Sequence, residues 1–314
     1  MPPHTHPRPT RRDASDAATP PAPSSTTAVQ PALRRAAGLA ALVVAAGVAG
    51  CSVPAPAAEA ASQAATGGRA ASAGSSIAAA PADAGARHAR QTVTMTLAGR
   101  DVDLDVYRPR GEPRGAVILS HGFTRSRRTL GGHAQALADA GALALTPDLP
   151  ATFDFQRNAR GLAELVAMLR AGGRFGPPVT RIVLVGFSAG GLSSLLAAHT
   201  PGVVGYVGLD PFDKLTDDGA LGRDAARSLR TEAVLLRAPP SRCNAHAVAA
   251  PWAALLPALR ADRVVDGASH CDFEAPSDWM CELACGDTDP ARQAVVRQGL
   301  LDAVARWLPA PGTR

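Results

Sequence analysis

The sequence predicts an α/β fold with a mostly parallel central sheet, helices on both faces and an N-terminal antiparallel hairpin. Three observations predict it. Short apolar runs at 116–119, 142–145, 181–185, 203–209, 233–236 and 263–265 are nearly unbroken, several of them rich in Val, Leu or Ile, as strands buried on both faces are. Helical patterns separate most of these runs, for example over 130–140 and 160–169, and that alternation builds a parallel sheet. Ahead of them, 92–97 and 102–107 alternate apolar and polar residues around Ala98-Gly99-Arg100, the signature of a hairpin. The last segment, 291–308, places Val295, Val296, Leu300, Leu301, Val304 and Leu308 at helical spacing and reads as a closing amphipathic helix.

Composition bounds the rest. With 314 residues, 46% hydrophobic and 19% charged, the chain can bury a sizeable core. Its net charge of +5 is not focused. Arg8, Arg11, Arg12, Arg34 and Arg35 against Asp13 and Asp16 supply +3 of it before Cys51, and later charges are interspersed in sign. No nucleic-acid partner is expected from such a surface.

Residues 1–50 read as an N-terminal extension and a lipoprotein-type signal peptide. Arg34-Arg35 precedes an uncharged run over 36–50, too short to span a bilayer, and Val48-Ala49-Gly50-Cys51 resembles a lipobox in which Cys51 takes the lipid. An ordinary secretory signal cut near Ala55-Pro56-Ala57 is the alternative. Residues 51–90 are Ala, Ser, Gly and Pro without apolar period, a tether between a membrane anchor and a catalytic domain over 91–314. An exported, membrane-anchored protein facing the periplasm or cell exterior is expected.

The run 181–185 enters Gly186-Phe187-Ser188-Ala189-Gly190, and a helical stretch follows over 192–199. This G-x-S-x-G string in a strand, turn, helix context marks Ser188 as a nucleophile on a sharp elbow, with Gly186 and Gly190 keeping side chains out of the bend. An oxyanion needs two N–H donors. Ala189 supplies one, and Phe123, after Ser120-His121-Gly122, supplies the other. His121 lies on the wrong side of the serine in chain order and is read as structural. A serine also needs a base, which follows it in the order Ser, acid, His. Of His199, His246 and His270, the last follows a strand and is assigned as that base. No carboxylate follows the 233–236 run, so the acid is assigned one strand earlier, to Asp210 in Leu209-Asp210-Pro211, with Asp213 as the near alternative.

These pieces together resemble the α/β-hydrolase superfamily, in the neighbourhood of chlorophyllases, platelet-activating-factor acetylhydrolases and cutinase-like polyester hydrolases. The motifs that carry the resemblance also include Leu145-Thr146-Pro147-Asp148-Leu149 and Gly267 to His270, and they span most of 91–308. The resemblance implies a serine hydrolase of carboxylic esters working through an acyl-enzyme, with no cofactor and no metal. Its substrate would be a small molecule or lipid ester, or a polyester. An amidase or peptidase on the same triad, or an inactive binding protein, are the alternatives. The acid after the strand that follows the nucleophile helix matches the chlorophyllase and acetylhydrolase pattern. Only about twenty residues separate Asp210 from the next run, which leaves no room for a large cap domain. Cys243, Cys271, Cys281 and Cys285 are disulfide candidates, with three pairings open and zinc as the weaker alternative.

Overall fold

The computed structural model describes residues 90–216 and 219–309. Cys51, the apolar run before it and the tether as far as residue 89 lie outside the described residues. The chain opens with the hairpin β1 (Gln91–Leu97) and β2 (Arg100–Tyr107), paired in register from Gln91 and Val106 to Leu97 and Arg100. There follow β3 (Ala116–Ser120), α1 (Gly131–Asp139), β4 (Leu143–Pro147), α2 (Phe155–Ala171), β5 (Ile182–Phe187), α3 (Ala189–Ala197) and β6 (Val203–Leu209). A two-stranded ribbon, β7 (Leu215–Thr216) and β8 (Gly219–Ala220), leads to α4 (Leu221–Ser228). The rest is β9 (Ala233–Arg237), α5 (Trp252–Leu255), β10 (Leu259–Val264), α6 (Trp279–Cys285) and α7 (Pro290–Trp307).

Eight strands form one sheet in the order β1-β2-β4-β3-β5-β6-β9-β10. Pairing is parallel from β4 to β10 and antiparallel where β2 meets β1 and β4. Within the continuous apolar runs, successive side chains still alternate between two cores. Ile118, Leu184, Tyr206 and Leu235 point into the core beneath α2, α3 and α4, whereas Val117, Leu119, Val183, Val185, Val207 and Leu236 face α1 and α7. Helices therefore cover both faces, as the sequence predicts.

Boundaries shift where polar chemistry sets them. Helix α2 begins five residues before the apolar pattern because the Asp154 side chain accepts from the Arg157 amide at 2.8 Å and caps it. The last strand begins at Leu259, not at residue 263, because it is an edge strand whose residues 260–264 are exposed and so leave no apolar run to read. Among the described residues, only the small ribbon and α4 lie between Asp210 and β9. Among the described residues no helix is long and apolar enough to cross a membrane.

Candidate active site

The carboxyl ends of β3, β5 and β6 and the loop after β10 converge, and the four segments singled out in the sequence meet there. In open α/β sheets this is the edge where sites form. Ser188 sits between β5 and α3 with φ 51° and ψ −121°, a conformation that costs a non-glycine residue of order 1–3 kcal/mol. The surroundings enforce it. The Ser188 amide donates to Leu209 O at 3.0 Å, and its carbonyl accepts from the Gly191 and Phe212 amides at 2.9 and 3.0 Å. A Cβ on Gly186 would collide with the backbone of Gly190, and one on Gly190 with the carbonyl oxygens of Ser120 and His121. Only glycines let the elbow press against β3.

Asp210 follows β6 directly, with φ 38°, and is 2% exposed. Its Oδ2 lies 2.6 Å from His270 Nδ1. Its Oδ1 accepts from the Ala238 amide at 3.0 Å, and Asn244 Nδ2 reaches both carboxylate oxygens at 3.3 Å. Several donors on one buried carboxylate fix its orientation. It holds the imidazole with Nδ1 towards the acid, leaving Nε2 for the cleft. The His270 ring also packs on Phe187, centroids 4.6 Å apart. Ser188 and His270 line one cavity of about 280 Å³. Among the described residues the Ser188 hydroxyl has no hydrogen bond, to His270 or otherwise. Catalytic hydrogen bonds often tighten only when substrate is in place.

The neighbours settle into other roles. Asp213 accepts from the Gly222 and Arg223 amides and from Trp252 Nε1 at 2.6, 3.1 and 2.8 Å, which ties α4 and α5 together. Asp272 binds the Ser269 and Asp289 amides and Arg292. His121 accepts from the Leu149 amide at Nε2, 3.0 Å, so Nδ1 carries the proton towards Gly122 O at 2.8 Å. Burial lowers its pKa and favours the neutral ring beneath the loop that carries Phe123. His199 and His246 are exposed. In the turns and loops described, neither the Phe123 nor the Ala189 amide donates to a backbone carbonyl, and the two residues line a common cavity beside Ser188.

Sequence reasoning missed the supports. Asn244 braces Asp210 across 34 residues. Arg125, two residues after Phe123, forks onto Glu274, four residues after His270, at 2.7 and 2.8 Å, and bonds Asp278 at 2.9 Å. The four cysteines pair as Cys243–Cys285 and Cys271–Cys281. The sulfurs of Cys271, Cys281 and Cys285 lie within 4.8 Å of one another, close enough for a metal cluster, yet all three are consumed in disulfides. Helix α6 is thereby clipped at one point to the residue after His270 and at another to the residue before Asn244.

No family model and no curated protein matches the chain. Among solved structures the chain is similar to the dienelactone hydrolase from Anabaena variabilis, with a TM-score of 0.55 and 18% identity over 71% of this chain and 99% of that one. It is also similar to Est1E from Butyrivibrio proteoclasticus, with a TM-score of 0.49 and 16% identity over 68% and 99% of the two chains. The chain has the α/β-hydrolase fold.

Proposed function

We propose that the protein is an exported serine hydrolase that cleaves carboxylic esters, with Ser188 as nucleophile, His270 as base and Asp210 as acid. The observation that carries this reading is the buried 2.6 Å contact of His270 with Asp210, facing a cavity that also holds the strained Ser188. Likeness in fold to a dienelactone hydrolase supports it. His270 Nε2 takes the Ser188 proton as the oxygen attacks the ester carbonyl, and the Phe123 and Ala189 amides bind the oxyanion. The imidazolium, stabilised by Asp210, then protonates the departing alkoxide. Water then gives a proton to His270 as its oxygen attacks the acyl carbonyl, and His270 returns that proton to the Ser188 oxygen as the carboxylic acid leaves. The residues suffice without a cofactor.

The substrate class is a small-molecule or lipid ester. Export is supported by two disulfides, which persist in oxidising compartments. A lipid on Cys51 would hold the domain at a membrane through the 51–90 tether.

The test is hydrolysis of 4-nitrophenyl butyrate by the full chain. Ser188→Ala should lower kcat by about 10⁴-fold or more, and Asp210→Asn by about 10³ to 10⁴-fold, with melting unchanged. A Ser188→Ala rate equal to wild type would remove the reading.

A further inference from the structure

Two cavities meet at Ser188, sharing Phe123 and Cys243, and the rest of their linings differ. His270 lines one, of about 280 Å³, together with Arg125, Met280 and half-cystines. The other, of about 360 Å³, also reaches Ser188 and Ala189 but not His270. Four of the chain's seven phenylalanines, Phe123, Phe153, Phe155 and Phe212, line it, in a sequence with only 4% aromatic residues.

These rings are paired. Phe123 and Phe153 stand at the mouth, 43% and 69% exposed, with centroids 4.8 Å apart and planes tilted 47°. Phe155 and Phe212 lie 6.2 Å apart, tilted 33°, and Phe155 is buried. Exposed aromatic rings on a soluble surface mark binding sites more often than chance decoration. Here they are continuous with the nucleophile.

The chemistry of the triad decides which half of an ester each cavity takes. The base must reach the leaving oxygen to protonate it, so the alcohol half leaves on the His270 flank. The acyl half then points the other way, among the phenylalanines. Resting on the ester-hydrolase reading above, we infer that the Phe123, Phe153, Phe155 and Phe212 cavity is the acyl subsite and that the preferred acyl group is apolar and carries an aromatic ring. Tilted ring pairs offer both a face and an edge to such a group, which an alkyl chain cannot use. Lys214, with Nζ 5.9 Å from the Phe155 ring centroid, also lines this cavity.

The experiment compares 4-nitrophenyl esters that share one leaving group: acetate, hexanoate and 3-phenylpropanoate. For the full chain, kcat/KM for 3-phenylpropanoate should exceed that for acetate by about tenfold or more and that for hexanoate by about threefold to tenfold. Phe153→Ala, at an exposed site that folding does not need, and Phe212→Ala should each lower the phenylpropanoate to acetate ratio by about threefold to tenfold. Met280→Ala, in the cavity that His270 lines, should leave that ratio unchanged while altering the ranking of phenylpropanoate esters of different alcohols. Equal kcat/KM values across the three acyl groups, or an acyl ratio that responds to Met280→Ala and not to the phenylalanines, would overturn the subsite. Failure of the ester-hydrolase reading looks different, since no acyl ester would then turn over at Ser188.

Discussion

The guanidinium of Arg125 and the carboxylate of Glu274 form a two-pronged pair, at 2.7 and 2.8 Å, that ties the loop carrying Phe123 to the loop carrying His270. Glu274 is fully buried and the Arg125 side chain is 10% exposed. Backbone bonds run alongside, from Ala275 N to Thr129 O at 2.8 Å and from Gly132 N to Ala275 O at 2.5 Å. Two segments about 150 residues apart in sequence are thus held together.

Removing one partner should cost more than removing the other. Burial raises the Glu274 pKa, and Arg125 opposes that rise. Arg125→Met leaves a buried carboxylate with no cation and should cost about 3–5 kcal/mol at pH 8. Glu274→Gln leaves Arg125 its bond to Asp278 and should cost less. An acid whose folded pKa is raised favours the folded state at low pH and loses that contribution as pH rises. The Arg125→Met deficit should therefore shrink as pH falls from 8 to 5 and Glu274 takes up a proton. Urea unfolding at both pH values measures this, and a deficit that grows on acidification would contradict it.

Asn244→Ala removes both amide contacts to Asp210 while leaving the acid and base in place. The expected result is a kcat about tenfold lower with KM little changed, because the imidazolium that forms in the transition state is held less well. Steady-state kinetics with a single ester distinguishes this from a binding defect, in which KM alone would rise.

The two disulfides close loops of 42 and 10 residues by sequence separation. Chain entropy assigns them about 4 and about 3 kcal/mol. Paired Cys→Ser replacement at 271 and 281 should lower Tm by several degrees in calorimetry and also lower kcat, because Cys271 adjoins His270. Replacement at 243 and 285, the half-exposed pair, should act through Asn244. Unchanged kcat in both variants would show that α6 braces nothing in the site.

His133, on α1, is buried, with Nε2 3.1 Å from Phe273 O and no partner for Nδ1 among the described residues. Burial lowers its pKa to about 4. A histidine depressed in the folded state contributes stability that is full above the unfolded pKa, about 6.5, and is lost as pH falls towards 4. Between pH 7.5 and 5 it should account for about 2 kcal/mol of lost stability. His133→Gln, which cannot take the proton, should show a flatter stability profile in urea titrations over that range.

The strands in the middle of the sheet were legible because a strand buried on both faces must be written in apolar residues, as 181–185 and 203–209 are. The edge strand β10 was legible only at its end, since solvent accepts Arg260 and Asp262 there. Helix α6 left no stripe to read. It is seven residues long, exposes Trp279, Met280 and Leu283, and is held by sulfur bonds. Ser188 and its glycines were readable because the elbow constrains local sequence. Asp210 and His270 were readable through strand ends and chain order. Asn244, the Arg125 fork, the choice among three cysteine pairings and the convergence of four phenylalanines depend on which loops meet in space. Local sequence does not encode that.

The central claim is that Ser188 is a nucleophile activated by His270. Incubating the full chain with a fluorophosphonate and mapping the adduct by peptide mass spectrometry tests it directly. A single phosphonylated peptide containing Ser188 is expected, absent from Ser188→Ala and formed far more slowly in His270→Ala. A folded wild type that takes up no label, or takes it up at another serine, would contradict it.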